Sequence, residues 1–258
     1  MKITIAGAGG RMGRTLIDAV ASEKELTLAG ALDVPGSAAV GTQISSVRVT
    51  ADVASAVSGC DVFIDFTRPE GTLAHADACA RQGKAMVIGT TGFSDAQKNA
   101  IRDVTKRIPI VMAANFAVGV NALYRLAETA ARILGDGYDV EIIEAHHRQK
   151  LDAPSGTALE LGRVVARVLN RDLGKAAIYG RHGEPGARPA GQIGFHAVRG
   201  GDIVGEHTVL FAGLGERLEL TVRSQSRSTY AAGALRAARW LTGRKAGLYD
   251  MNDVLGLR

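Results

Sequence analysis

The chain has 258 residues, 46% hydrophobic and 5% aromatic, and its 31 Lys and Arg outnumber 26 Asp and Glu to give a net charge of +5. That length and apolar content suit one large or two modest globular domains, and the scattered charge, without aromatics interleaved among the basic residues, argues against a nucleic-acid partner and mildly favours small anionic ligands. No apolar run approaches the ~18 residues of a membrane span and the chain opens on a strand pattern instead of a cleavable leader, so no membrane partner is expected and the cytoplasm is the expected location.

The first segments alternate short apolar runs with helical stretches. KITIAG, the turn GAGGRMG, the helix RTLIDAVASE and the run LTLAGALD make a strand, helix, strand unit. A helical piece around residues 53–57, the strand DVFIDF (61–66), a helix over 72–82, the strand KAMVIG (84–89), a helix over 94–105 and the strand IPIVMAA (108–114) continue the pattern. Repeated βα units predict an α/β, Rossmann-type doubly wound parallel sheet with ligands at the carboxyl ends of its strands. Cys60 and Cys79 lack CxxC spacing and fall in core or helix patterns, so they are expected as buried thiols. No cluster of His, Cys, Asp and Glu has metal-ligand spacing, and no metal is expected.

After Asn115 the order changes. A helix NALYRLAETAARIL and a strand YDVEIIEA (138–145) precede a polar loop, a further helix, and a Gly-rich extended region over 178–221 with IGFHAV, IVGEHTVLFA and RLELTV as strand candidates. Strands in succession predict a second, α+β domain with a mixed sheet. The helix TYAAGALRAARWLTG (229–243) is expected to return to the first domain. The expected division is residues 1–114 for dinucleotide binding, 115–227 for substrate binding and oligomerisation, and 228–258 returning to the first domain, with joints near Asn115 and Arg227.

GAGGRMG follows a strand and opens a helix, the setting in which a glycine turn admits a pyrophosphate at the helix's positive end. Met12 takes the place of the third glycine of a strict GxGxxG, and Gly10 and Gly13 supply a GxxGxxG register. Asp33, about 20 residues past Gly13 at the end of the second strand, is placed to accept hydrogen bonds from an adenosine ribose. The loops GTTG (with Gly89, Thr90, Thr91) and AANF (Ala113, Ala114, Asn115, Phe116) suit the same crevice, where small residues and hydroxyls approach a nicotinamide and its ribose. Because Asp33 repels a 2′-phosphate and is followed by Val34, NADH is favoured, with NADPH as the alternative through Arg11 or Arg14.

The second constellation is EAHHRQKLDAPSGTA (144–158), at the end of the YDVEIIEA strand. His146 and Lys150 are candidate proton donors. His147 and Lys150 add donors for a carboxylate. The amides of Gly156 and Thr157 open a helix capped by Ser155. A small dicarboxylate fits this set. His75 is expected in a surface or capping role, as is His182. His196 and His207 lie on strand candidates and are not expected to touch ligand, and the Gly, Pro and Arg-rich run 176–194 is read as a mobile or oligomer-contacting loop.

GAGGRMG, DFTRPEG (65–71), VIGTTGF (87–93), AANFAVGV (113–120), EAHHRQKLDAPSGTA, RGGDIVGEHTVLF (199–211) and GLYDMNDVL (247–255) together closely resemble the bacterial 4-hydroxy-tetrahydrodipicolinate reductases, also called dihydrodipicolinate reductases. The resemblance implies NADH- or NADPH-dependent reduction of a cyclic unsaturated dicarboxylate to tetrahydrodipicolinate in diaminopimelate and lysine biosynthesis, by a homotetramer. It assigns proton transfer to His146 and Lys150, substrate binding to His147, Gly156 and Thr157, and nucleotide contacts to Gly7, Ala8, Gly9, Gly10, Arg11, Met12, Asp33, Gly89, Thr90, Thr91, Ala113, Ala114, Asn115 and Phe116. Many members carry Arg after the acidic residue; Val34 departs from that pattern. The rivals are an aspartate- or homoserine-type dehydrogenase, which has no need of HHRQK beside PSGTA, and a non-catalytic NAD(H)-binding regulator, which predicts binding without turnover.

Overall fold

The computed structural model describes the whole chain, Met1–Arg258. It divides into two compact units, Met1–Val118 with Arg227–Arg258, and Gly119–Ser226. None of its helices is long and apolar enough to cross a membrane.

The first unit runs β1 (Lys2–Ala6), α1 (Arg11–Ala21), β2 (Thr27–Leu32), β3 (Gln43–Ile44), β4 (Val47–Arg48), α2 (Val53–Ser58), β5 (Val62–Asp65), α3 (Pro69–Arg81), β6 (Ala85–Ile88), α4 (Asp95–Val104) and β7 (Pro109–Met112), and resumes with α8 (Ser228–Leu241), β13 (Gly247–Tyr249) and α9 (Met251–Leu255). Its six-stranded sheet has the order β13-β7-β6-β5-β1-β2 and every pairing is parallel. Strands covered on both faces are apolar almost throughout, as every residue of β5 is buried. Leu16, Ile17 and Val20 of α1 and Ala231, Ala234, Leu235 and Ala238 of α8 fill one face, while Val57 of α2, Ala76 and Cys79 of α3 and Ile101 of α4 fill the other. Chain direction across the sheet reverses beside β1, so the carboxyl ends of β1 and β5 form the switch-point crevice of a doubly wound sheet.

The sequence reading omits β13, which extends this sheet beside β7, and the β3–β4 hairpin. Strands of two or three residues are too short to show a period of two. Cys60 and Cys79 are both buried, and burial pushes both thiols up from the ordinary cysteine range.

The second unit contains α5 (Val118–Leu134, its first residue lying in the first unit), β8 (Asp139–His146), α6 (Gly156–Val168), α7 (Leu173–Ala176), β9 (Ala177–Tyr179), β10 (Ile193–Arg199), β11 (Gly205–Ala212) and β12 (Arg217–Ser224). The sheet is mixed, with the order β12-β11-β8-β10-β9: β10 is parallel to β8 and β9, and β11 is antiparallel to β8 and β12. Val140 and Ile142 of β8, Phe195 of β10 and Val209 and Phe211 of β11 pack against Leu123 and Ala127 of α5 and Leu161 and Val165 of α6.

The run read as a mobile or oligomer-contacting loop is partly ordered. It contains β9, and both Arg181 and Arg188 bind the Glu141 carboxylate on the sheet's outer face, at 2.8 and 2.9 Å. Burial raises the Glu141 pKa, but Arg181, Arg188 and His196 outweigh it and bring it down to about 2. A loop tethered to a stably ionised carboxylate at two points is not free, and composition alone could not show the tether.

Candidate active site

Along β8 one face is apolar at Val140 and Ile142 and turns polar at Glu144 and His146, all four buried. Strand periodicity therefore carries the core-facing side straight into a buried acid–base pair. The neighbouring strands complete it: His207 of β11 lies opposite Glu144, and Arg199 of β10 lies opposite His146 in the parallel register.

Glu144, 1% exposed, is the hub. It accepts hydrogen bonds from His146 Nδ1 at 2.6 Å, from the Ser155 N–H at 3.0 Å and from both terminal guanidinium nitrogens of Arg199 at 2.7 Å. Burial pushes its pKa up, yet Arg199, His146 and Ser155 hold it below the usual carboxylate range. For His146 burial lowers the pKa and outweighs the pull of Glu144, with Lys150 and Arg199 adding to the lowering. The neutral ring thus keeps its proton on Nδ1, against Glu144, and Nε2 becomes its basic nitrogen.

Ser155 caps α6 by accepting the Ala158 N–H, and its hydroxyl lies 2.9 Å from His207 Nε2. Burial brings His207 down to about 4, with the His146 ring, Lys150 and Arg199 contributing. His207 is therefore neutral near pH 7, and its Nε2 shares a hydrogen bond with the Ser155 hydroxyl whose direction follows the ring tautomer. Its ring stands edge-on to His146 with centroids 5.1 Å apart. His207 was not expected to touch ligand; the register of β11 on β8 puts it beside His146, a relation that single-strand patterning does not contain.

Lys150 follows in the loop, paired with Asp152 at 3.0 Å, while Arg199 also donates to the Asp152 carbonyl at 2.7 Å. His147 Nδ1 is buried without a partner. Gly156 and Thr157 are the first two residues of α6, at the helix end whose dipole favours an anion. One end of the second unit thus gathers His146, His147, Lys150, Gly156 and Thr157. The sequence reading missed the positioning roles of Glu144, Arg199 and His207. Glu144 gave a signal, as the polar member of an otherwise apolar inward series.

The nucleotide candidates all lie in the first unit, at the carboxyl ends of β1, β2, β6 and β7. Gly7 has a φ of +71°, and Gly10 N–H bonds back to its carbonyl at 2.9 Å. A Cβ on Gly13 would overlap that same carbonyl. The turn is therefore closed tightly enough for its backbone to meet a pyrophosphate directly, which fits a dinucleotide. Asp33 accepts the Gly9 N–H at 2.7 Å and its neighbour Val34 N–H at 2.8 Å. Beside it Ala8, Gly9, Arg14, Ser37 and Thr42 line a cavity of about 270 Å³. Met12 packs on the core side of α1, so of this residue only the backbone belongs to the turn. A Cβ on Gly89 would overlap the Phe66 ring, which itself lies 5.4 Å from that of Phe116, so the second and third loops are packed through these rings.

His75 is not a surface residue. It is 9% exposed, and its Nδ1 lies 2.7 Å from the fully buried Asp65 carboxylate. Helical patterning placed it on α3 without showing which face it takes.

The family model described as dihydrodipicolinate reductase, N-terminus, matches residues 1–116, and that described as dihydrodipicolinate reductase, C-terminus, matches residues 119–255. The chain belongs to the dihydrodipicolinate reductase family. It is 56% identical to the 4-hydroxy-tetrahydrodipicolinate reductase of Cupriavidus metallidurans over 100% of both chains. With that of Aromatoleum aromaticum it shares 59% identity over 100% of this chain and 96% of the relative. Among solved structures, a dipicolinate-bound dihydrodipicolinate reductase from Paenisporosarcina sp. TG-14 superposes with a TM-score of 0.80 at 26% identity, covering 98% of each chain.

Proposed function

We propose that the protein reduces 4-hydroxy-tetrahydrodipicolinate to tetrahydrodipicolinate with NADH, NADPH being the weaker alternative, as a step of diaminopimelate and lysine biosynthesis. The observation that carries this reading is the buried Glu144–His146 pair set beside Lys150 and the α6 N-terminus in a chain whose other unit holds a tight dinucleotide turn. The names of the relatives agree with it.

The substrate's 4-hydroxyl leaves as water, which puts a ring double bond in conjugation with the imine, and a bound reduced nicotinamide would supply a hydride to that conjugated ring carbon. The chain's own residues do the rest. Gly156 and Thr157 N–H groups and His147 hold a substrate carboxylate. Lys150 donates a proton as negative charge develops on the enamine-like ring, and its cation stabilises that charge. His146, neutral with Nε2 basic, accepts and returns protons, and Glu144 fixes its tautomer. In the first unit Gly7, Ala8, Gly9, Gly10, Arg11 and Met12 hold the pyrophosphate through the turn, Asp33 the adenosine ribose, and Gly89, Thr90, Thr91, Ala113, Ala114, Asn115 and Phe116 the nicotinamide half. The Asp33 carboxylate disfavours a 2′-phosphate, while Arg14, in the wall of the adjoining cavity, keeps NADPH usable.

Ile143 and Val198, exposed on the outer face of the second unit's sheet, support an oligomer contact through that face in a homotetramer. The chemistry is tested by following NADH and NADPH oxidation with enzymatically generated 4-hydroxy-tetrahydrodipicolinate. Oxidation with this substrate and none with aspartate semialdehyde is expected; failure to oxidise either cofactor overturns the reading.

A further inference from the structure

We propose that the buried Asp65–His75 pair is a positioning device for cofactor binding, holding Thr67 and Thr90 in place at the carboxyl ends of β5 and β6. The proposal rests on the reading of Gly89, Thr90 and Thr91 as contacts to the nicotinamide half of the cofactor, and assigns a role to two residues outside that contact set.

A carboxylate with no solvent exposure needs every lone pair it can place against a donor. Asp65, at the end of β5, divides its two oxygens between two tasks. Oδ2 faces His75 Nδ1 of α3 at 2.7 Å. Oδ1 accepts the Thr67 N–H at 2.8 Å and the Thr67 hydroxyl at 2.6 Å, with the Thr90 hydroxyl at 3.4 Å. The Thr90 oxygen also accepts from the Thr67 N–H at 3.0 Å and from the Thr72 hydroxyl at 2.8 Å. One carboxylate thus ties the loop after β5, the loop after β6 and the first turns of α3 into a single network. The Asp65 carbonyl adds the Gly89 N–H at 2.8 Å.

The network reaches the glycine turn as well. A Cβ on Gly7 would lie 3.2 Å from the Thr67 methyl, so Thr67 abuts the turn itself. His75 is held in turn by the Phe63 ring, with centroids 5.4 Å apart. Stability alone does not account for such a pair, since a buried polar pair is often replaceable by well-packed apolar groups at little cost. Its placement under two ligand-side loops, with hydroxyls as the terminal partners, does account for it. Removing the His75 donor leaves Oδ2 unpaired. The carboxylate then turns to recover a partner and releases Thr67 and Thr90.

The test titrates the full-length chain with NADH and with ADP-ribose, which lacks the nicotinamide. His75→Leu is expected to weaken NADH binding about tenfold, the size of one charge-assisted hydrogen bond, and ADP-ribose by less than about twofold. His75→Asn, whose amide nitrogen falls near the Nδ1 position, should restore NADH binding; His75→Gln, which reaches toward the Nε2 position, should not. A His75→Leu chain that melts earlier but binds NADH as before overturns the proposal, as does an Asn variant no better than Gln. If the Leu variant fails to fold, the Asn and Gln pair decides alone. No NADH binding by the unaltered chain overturns the cofactor reading itself, and the proposal with it. NADH binding without the Asn–Gln contrast overturns only the proposal.

Discussion

Glu144 and Arg199, 55 residues apart in the chain, meet through two guanidinium nitrogens, each 2.7 Å from a carboxylate oxygen. A two-pronged pair of this kind is rigid as well as strong, and it sets the angle from which Glu144 grips His146. Removing one partner leaves the other charge buried and uncompensated. Arg199→Met is therefore expected to destabilise the chain by about 3 kcal/mol. Adding Glu144→Gln to it should recover part of that loss, since both charges are then gone. Urea unfolding of the two variants checks this; a single variant as stable as the unaltered chain shows that the pair does not compensate buried charge.

If, as proposed, Lys150 gives the proton and His146 supplies the base, both variants should damage turnover and spare cofactor binding. Lys150→Ala and His146→Ala are each expected to lower kcat by about 10²- to 10⁴-fold. The Kd for NADH, measured by fluorescence, should stay within about twofold. Unchanged turnover in both variants removes the assigned roles.

The two lowest-shifted groups of the second unit make stability fall with acid in two stages. Burial sets the folded His207 near 4 against 6.5 for a free histidine. Between those values the unfolded chain binds a proton that the folded chain refuses. Stability is therefore complete above about pH 6.5 and falls by up to roughly 3 kcal/mol as pH drops to 4. Glu141, at about 2 against 4.5, opens a second stage. Its contribution is complete above the unfolded value and is lost as pH falls toward 2. His207→Gln is expected to flatten the first stage and leave the second. Urea midpoints measured at intervals from neutral to acid pH separate the two, and a variant that keeps the first stage shows that His207 does not cause it.

How much of this was legible in the sequence depends on the range of the interactions. The alternation of runs such as KITIAG and RTLIDAVASE reflects local burial, and the strands β1, β2, β5, β6 and β7 with the helices between them follow from it. The grouping of His146 and Lys150 with the Ser155 cap was legible because these residues and the start of α6 fall within one short stretch. Arg199 and His207 were not, since they reach Glu144 only through the pairing of β10 and β11 with β8. His75 fails for a related reason: a helix pattern fixes spacing, while the partner that turns one residue inward, Asp65, lies at the end of another element.

The glycine turn offers a contrast between two neighbours. A Cβ on Gly13 would overlap the Gly7 carbonyl, a backbone atom that cannot swing aside. Gly10, the residue before α1, has a φ of −76°, and a Cβ there would meet only the Gly7 carbonyl at 3.2 Å. Gly13→Ala is expected to open the turn, with NADH binding lost and stability down by about 3 kcal/mol or more. Gly10→Ala should cost about 1 kcal/mol or less and keep most binding. Calorimetric titration of both variants with NADH checks the order. Equal losses show that the close packing of α1 on the turn is not what shapes the cofactor seat.

Val34 is 66% exposed, immediately after the Asp33 carboxylate that accepts the Gly9 N–H. An exposed apolar side chain there gives a ribose 2′-phosphate no counter-charge, and Asp33 repels it. Val34→Arg introduces a guanidinium at the rim without disturbing either Asp33 hydrogen bond, because the Val34 N–H that donates to Asp33 is retained. The ratio of kcat/KM for NADPH to that for NADH should rise about tenfold, mainly through a lower KM for NADPH, in line with one added charge-assisted phosphate contact. Raising the salt concentration should shrink the gain, since an exposed pair is screened. An unchanged ratio at low salt shows that the 2′-position does not face Val34, and places cofactor choice with Arg14 and the cavity lined by Ser37 and Thr42.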